Sequence, residues 1–404
     1  MKVIIIGAGT GGLSVARKLS ENPDAEITII EKGPLANIKD SYMYYDPWDK
    51  NEMELIKTTM VGGSSTVIAG NFIPSLVDEL KKYDIDITKQ IDELTEELNI
   101  MPMPPSHVGS ADKILIKAAE KLGFDIKPMP KAIDPSKCRQ CGKCAWGCPY
   151  NAKWSSLKDL EIALENGVNL ITDEEVIKIN READRITSVT TNKANTYNAD
   201  IVVVAAGGMV TPKLLRIAGI DAGETFSVDP FITIGGYYKG ANQTHQIEMN
   251  QYIKLPNAII SPHTSQYVLP EVQKKYPDAT VDDILSFMIK IPDNLNGKVY
   301  LNKVEKSIDF DDVAYIAEAA AVVGSILKEA GVDMSTMSST HTRGAHLIAS
   351  ARIGDIVDEN LCVYGFENLY VADGSVLPKA EGLPPILTIL AITRRLGEFL
   401  RDLI

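Results

Sequence analysis

The chain has 404 residues, 54 acidic against 41 basic side chains for a formal charge of −13, and 45% hydrophobic and 24% charged residues. At ~150 residues per domain this is two to three domains of ordinary globular composition, which excludes disordered, collagen-like and coiled-coil chains. The acidic balance argues against a nucleic-acid partner or an anionic membrane surface, and with no apolar run near ~18 residues no transmembrane segment is expected.

The chain opens on Lys2-Val3-Ile4-Ile5-Ile6, an apolar strand with no signal-peptide pattern around it, so a cytoplasmic location is expected. Gly7-Ala8-Gly9-Thr10-Gly11-Gly12 follows, then a helix over 12–20 and a second strand over 27–31 ending in Glu31. This is G-x-G-x-x-G in the strand–turn–helix setting of a dinucleotide-binding unit, with the acid about twenty residues on. Gly7 permits the tight turn, Gly9 lets the backbone approach a pyrophosphate at the helix N-terminus, and Gly12 lets helix and strand pack closely. Glu31 is placed to accept from ribose hydroxyls. The motif alone does not separate FAD from NAD.

Residues 76–123 read as helical and charge-rich. Four of the five cysteines then fall within eleven residues: Cys138, Cys141, Cys144 and Cys148, followed by Pro149. The spacing C-x2-C-x2-C-x3-C-P is that of bacterial ferredoxins and predicts a [4Fe-4S] cluster in a reducing compartment, not a secreted disulfide framework. No second run exists, so the fourth ligand is Cys148, distant Cys362, or none in a three-iron cluster. Cys148 is preferred, because Cys362 sits in an apolar stretch suited to a buried thiol. Zinc usually takes two separated C-x2-C pairs.

Residues 200–205 form a continuous apolar run of the kind a buried parallel strand shows. Short β-like runs with Pro, Asn, Gln and Gly fill 225–305, and a helix follows at about 311–330. A strand at 368–372 precedes Pro384-Pro385 and a terminal helix in which Ile389, Ile392, Leu396, Phe399, Leu400 and Leu403 hold helical spacing.

Several blocks, in order, are similar to the glucose–methanol–choline oxidoreductases, a family of FAD-dependent alcohol dehydrogenases and oxidases. Gly62-Gly63-Ser64-Ser65, with Gly70-Asn71 after it, resembles the family's segment along the flavin. Residues 207–215 resemble its second signature. His346-Leu347-Ile348-Ala349-Ser350-Ala351-Arg352-Ile353-Gly354 resembles H-x-x-G-T-x-R-M-G with Ala and Ser in place of Gly and Thr, and residues 368–378 match the C-terminal block almost letter for letter. The resemblance implies an α/β fold with a discontinuous Rossmann-like FAD-binding domain (1–75, 156–224 and 341–404). Into it are set a helical insertion (76–132), the iron–sulfur loop (133–155) and an α+β substrate domain (225–340).

It also implies cofactor contacts from Gly63, Ser64, Ser65, Asn71 and Val176, with Asp373 and Gly374 near the ribityl and pyrophosphate groups. Some members attach the flavin through a histidine near the Gly-Gly-Ser-Ser segment. None lies there, so non-covalent FAD is expected. The family usually has His or Asn at the start of the last helix, where this chain has Pro384-Pro385, so a second polar active-site residue is missing or comes from elsewhere.

Oxidising an alcohol on a flavin requires removal of the hydroxyl proton as hydride moves to N5, a task for a neutral imidazole. The family block selects His346, with His341 as the alternative; His107, His245 and His263 read as structural. Arg343 or Arg352 could stabilise negative charge on a substrate or reduced flavin, but neither is taken as catalytic. The expected activity is oxidation of the CH-OH group of an alcohol, polyol or hydroxy acid. Electrons then leave singly through the cluster to an acceptor such as a ferredoxin or redox subunit, not oxygen. The alternatives are a non-catalytic electron-transfer flavoprotein and a pyridine-nucleotide-linked iron–sulfur flavin reductase, which would need a second nucleotide fingerprint.

Overall fold

Ile4, Ile5 and Ile6 are buried on both faces of their strand, which requires a paired neighbour on each side and cover above and below. The computed structural model describes residues 1–47 and 53–404 and supplies all of these. Lys2–Ile6 lies at the centre of a five-stranded parallel sheet, with Glu26–Ile30 then Asn169–Ile171 on one side and Ile201–Val204 then Leu369–Val371 on the other. Ile6 pairs with Ile30 and Val204, so chain segments some two hundred residues apart form one apolar layer. The helix Thr10–Leu19 packs on this sheet and against the terminal helix Ile386–Leu403. It begins two residues earlier than the spacing suggested because a Cβ at Gly11 would stand 1.8 Å from the Ala372 carbonyl; glycine lets the first turn close onto that strand.

The edge strand Asn169–Ile171 and a separate three-stranded antiparallel sheet, Val176–Glu182, Arg185–Thr191 and Thr196–Asn198, have no counterpart in the sequence reading. Their residues are short runs with exposed positions, too polar to print a period.

A second, mixed sheet runs in the order Glu54–Leu55, Arg343–Gly344, Phe231–Tyr237, Ile284–Lys290, Ala258–Pro262, Gln251–Leu255, Ile126–Pro128, with Asp333–Ser339 also pairing to Phe231–Tyr237. Strand alternation sorts its side chains. Ile232, Ile234, Leu285, Phe287 and Ile289 meet Leu115 and Ala119 of the helix Ser110–Lys121 and Val323, Ile326 and Leu327 of Phe310–Ala330 in one core. Phe231, Met288 and Lys290 face the other way, into a cavity.

The longer helix starts at a capping box, Asp309 with Asp312, and ends at Gly331 with φ +96°. The 76–132 stretch is shared between the two cores: Leu80, Ile91 and Leu94 pack with the parallel sheet, and Leu115 with the second sheet. No helix among the described residues is long and apolar enough to cross a membrane.

Candidate active site

One cavity of about 1430 Å³ runs from the glycine fingerprint to the face of the second sheet that carries Phe231, Met288 and Lys290. Gly7, Gly9, Gly11, Glu31 and Val176 line one end; Gly63, Ser64, Ser65, Asn71, Asp373 and Gly374 line its middle; Phe231, Lys290 and His346 line the other. The three fingerprint glycines divide the labour. Gly7 takes φ +104°. A Cβ at Gly12 would meet the Gly7 carbonyl at 2.1 Å, so that glycine serves helix–strand packing and is not on the cavity wall. A Cβ at Gly9 would meet no protein atom within 4 Å; the space before it belongs to a ligand, at the N-terminus of Thr10–Leu19.

Glu31 is buried, and its two oxygens accept the Ala8 and Gly33 N–H groups at 2.8 and 2.7 Å; burial raises its pKa and those bonds counter the rise. Asp373 is similarly tied: one oxygen accepts from Gly207 N–H (2.8 Å) and Thr211 Oγ1 (2.5 Å), the other from Ser375 N–H (2.8 Å). Its carboxylate thus holds the turns on both sides of the cavity together. A dinucleotide of the length of FAD suits such a wall: an open backbone cradle, a buried acid beside it and a deep continuation.

At the far end, His346 stands between an acid and an ammonium. Its Nδ1 is 2.8 Å from Asp229 Oδ2 and its Nε2 is 3.0 Å from Lys290 Nζ. A charged lysine has no acceptor, so Nε2 carries the lone pair and Nδ1–H donates to the carboxylate. Burial, then the Lys290 charge, holds the imidazole well below its usual range and therefore neutral. Burial raises the Asp229 carboxyl, opposed first by Lys290 and then by the Gly382 N–H; it lowers Lys290, opposed by Asp229. Asp229 adopts φ +47°, rare for a residue with a Cβ, and the structure holds it there. Its N–H donates to Asp293 (2.9 Å), its Oδ1 accepts Gly382 N–H (2.8 Å), and Asp293 forms a fully buried ion pair with Lys306 at 2.6 Å.

His341 sits elsewhere. Its ring is half exposed, bonds Glu54 at 2.9 Å and does not line the cavity. His263, read as structural, does line it, between Thr233 Oγ1 (3.2 Å) and Glu248 (3.5 Å), and burial pushes its pKa down to about 3. Lys290 and Asp229 escaped the sequence reading. The one local signal was a lysine closing the apolar run Ile284–Lys290, whose two-residue period turns it away from the core.

The four clustered cysteines are unpaired and line a second, water-sized cavity of about 20 Å³, with Lys153. Backbone N–H groups point at two sulfurs, Gln140 at Cys138 (3.5 Å) and Ala152 at Cys148 (3.4 Å). Cys141 lines both cavities. Two buried lysines lie alongside. Lys131 donates to Ala69 O, Asn71 Oδ1 and Glu248 O (3.0, 2.6 and 2.6 Å), and Lys153 to Ser65 O and Thr66 O (both 3.1 Å); burial lowers each to about 8, countered most by Cys144. Cys362 is apart, packed against the parallel-sheet core with Sγ 3.2 Å from Phe366 O. Among the described residues, no three His, Cys, Asp or Glu side chains close on a point that could hold a single metal ion.

Comparison with known proteins gives the family and the fold. Two family models, both described as GMC oxidoreductase, match residues 1–236 and 301–393. An uncharacterised protein of Methanocaldococcus jannaschii is 32% identical over 403 residues, 99% of each chain. A long-chain-alcohol oxidase of Arabidopsis thaliana is 22% identical over 96% of this chain and 66% of its own length. The crystal structure of pyridoxine 4-oxidase from Mesorbium loti superposes with a TM-score of 0.70 over 99% of both chains at 15% identity, a likeness of fold.

Proposed function

The chain belongs to the GMC oxidoreductase family, and from that premise we propose that it is an FAD-dependent dehydrogenase acting on the CH-OH group of a small alcohol, polyol or hydroxy acid. The observation that carries this reading is that His346 and Lys290, bonded to one another and backed by Asp229, line the cavity that begins at the glycine fingerprint. FAD would be held without a covalent bond by Gly7, Gly9, Glu31, Gly63, Ser64, Ser65, Asn71, Val176, Asp373 and Gly374, with Gly12 serving helix–strand packing, and would supply the hydride acceptor.

The protein's own part is proton handling. His346 takes the substrate hydroxyl proton at Nε2, because that nitrogen carries the lone pair, which the hydroxyl takes over from Lys290 when substrate binds, and burial keeps the ring neutral. Asp229 orients the ring through Nδ1–H and stabilises the imidazolium. Lys290 places a positive charge where the alkoxide develops and so supplies the second polar group that Pro384-Pro385 cannot. His341 is left without a catalytic part.

We further propose that Cys138, Cys141, Cys144 and Cys148 hold a [4Fe-4S] cluster. The spacing, the shared cavity, the N–H groups aimed at sulfur and two buried lysines beside the four cysteines support it. A four-iron cluster spreads its ligands over four metals, so it needs no single-ion geometry, but the water-sized space means that this loop must open to admit it. Such a group would pass electrons singly to an acceptor other than oxygen, and Cys141 is where it meets the flavin cavity.

The test is anaerobic purification with flavin, iron and sulfide quantified, followed by turnover with a ferredoxin or dye against oxygen. About four irons per flavin and slow peroxide formation are expected, with the iron lost and substrate-driven flavin reduction kept in Cys141→Ser. Iron-free protein, or oxygen turnover equal to that with the dye, removes the cluster and leaves an oxidase.

A further inference from the structure

The far wall of the cavity carries two cations across one aromatic ring. Phe231 is the register partner of Lys290 on one neighbouring strand and of Arg343 on the other. Register partners share a face, and strands lie ~4.8 Å apart, so the two cationic residues are anchored ~10 Å from one another with the ring between them. Lys290 Nζ is 5.9 Å and Arg343 Cζ 4.8 Å from the Phe231 centroid, and Tyr267 stands 5.3 Å from the guanidinium.

Lys290 is engaged by His346. Arg343 is different: its Nε and Nη2 are buried with no acceptor among the described residues. Two carboxylates of the cavity wall bond other groups, Glu54 with His341 at 2.9 Å and Glu248 with the Ala145 N–H at 3.1 Å. Burial lowers the guanidinium pKa, opposed by Glu54, but an arginine stays charged. Burying guanidinium donors with no acceptor among the described residues is costly, and here it is done at a ligand cavity in a chain of net charge −13. Nε and Nη2 form one edge of the guanidinium, the side-on fork that matches the two oxygens of a carboxylate, and Arg343 lines the same cavity as Lys290 and His346.

Resting on the assignment of His346 as base, we propose that the substrate is a hydroxy acid whose carboxylate is gripped by Arg343 while its carbinol meets His346 and Lys290. The carbinol C–H pair leaves as hydride to the flavin, the O–H proton goes to His346 Nε2, and the product is the oxo acid.

Calorimetric titration of the FAD-loaded protein with probe pairs that differ in the carboxylate tests this directly: lactate against lactamide, 3-hydroxybutyrate against its amide, glycerate against glycerol. At least one acid is expected to bind ~10-fold or more tightly than its neutral partner. Arg343→Met should weaken the acid ~100-fold while leaving the neutral compound unchanged, and Arg343→Lys should recover part of the loss. Equal binding of acid and neutral partner, unchanged acid affinity in Arg343→Met, or an equal loss for both compounds would overturn the assignment; the last would place Arg343 on the flavin instead. Wild-type protein reduced by neutral alcohols with no preference for acids removes this inference and leaves the dehydrogenase. Acid binding through Arg343 without flavin reduction by any compound does the reverse.

Discussion

The two ends of the cavity are built from different material. The cradle at Gly7, Gly9 and Gly11 is backbone: a helix N-terminus, absent side chains and two carboxylates whose oxygens are spent on neighbouring amides. The wall at His346, Lys290 and Arg343 is side chain: charges out of water, held in place by strand register and by one another. A backbone site suits a cofactor that stays put and is read by shape. A charged side-chain site suits a substrate whose protons and charge must change during the reaction. Substitutions at the two ends should therefore fail in different ways.

The largest effect is expected on the wall. His346→Ala should slow anaerobic flavin reduction by substrate about 10³-fold with FAD content unchanged, the cost of losing a positioned base. Lys290→Met should cost about 10²-fold in kcat, the size of losing one preorganised donor. It should also remove the alkaline limb of the pH profile. Protonated Lys290 is the active form and burial lowers its pKa, so wild-type activity is lost as pH rises through a value below the ordinary ~10.5.

In the cradle the expected loss is of binding or of stability, not of chemistry. Gly9→Ala should weaken FAD ~10-fold or more without shifting the melting temperature of the FAD-free chain, because its Cβ would enter only ligand space. Gly12→Ala should instead destabilise the fold by ~1–3 kcal/mol, because its Cβ would meet the Gly7 carbonyl. Thermal melts with and without FAD separate the two. The smallest effect is expected beside the wall. Ala349 stands at φ +62° where the family block has glycine, so Ala349→Gly should raise stability by about 1 kcal/mol in a denaturant titration.

This division also decides what the sequence disclosed. The central parallel strands were legible as unbroken apolar runs, Ile201–Val204 most plainly, since a strand buried on both faces has no polar positions to interrupt it. The fingerprint was legible because its demands, a tight turn, a close approach and a packed helix, fall on residues a fixed few steps apart. The start of the terminal helix was marked by Pro384-Pro385, directly before Ile386.

The charged wall was not legible in the same way. Asp229, Lys290, Arg343 and His346 lie on separate strands and loops, and only the pairing of Phe231 with both Lys290 and Arg343 brings the charges together. A sequence shows which residues alternate along one strand, not which strand lies beside it. The same blindness kept His341 open as an alternative to His346. They are five residues apart in the chain, yet one is bonded to Glu54 at the surface and the other is buried between Asp229 and Lys290. It also made His263 look structural, although it lines the cavity.

The most direct test is stopped-flow mixing, without oxygen, of the FAD-loaded protein with hydroxy acids and neutral alcohols, in wild type and in His346→Ala. Loss of the yellow absorbance with at least one compound in the wild type, abolished in a variant that still carries its FAD, is the predicted result. A flavin that stays oxidised with every compound, or bleaches equally fast without the imidazole, contradicts it.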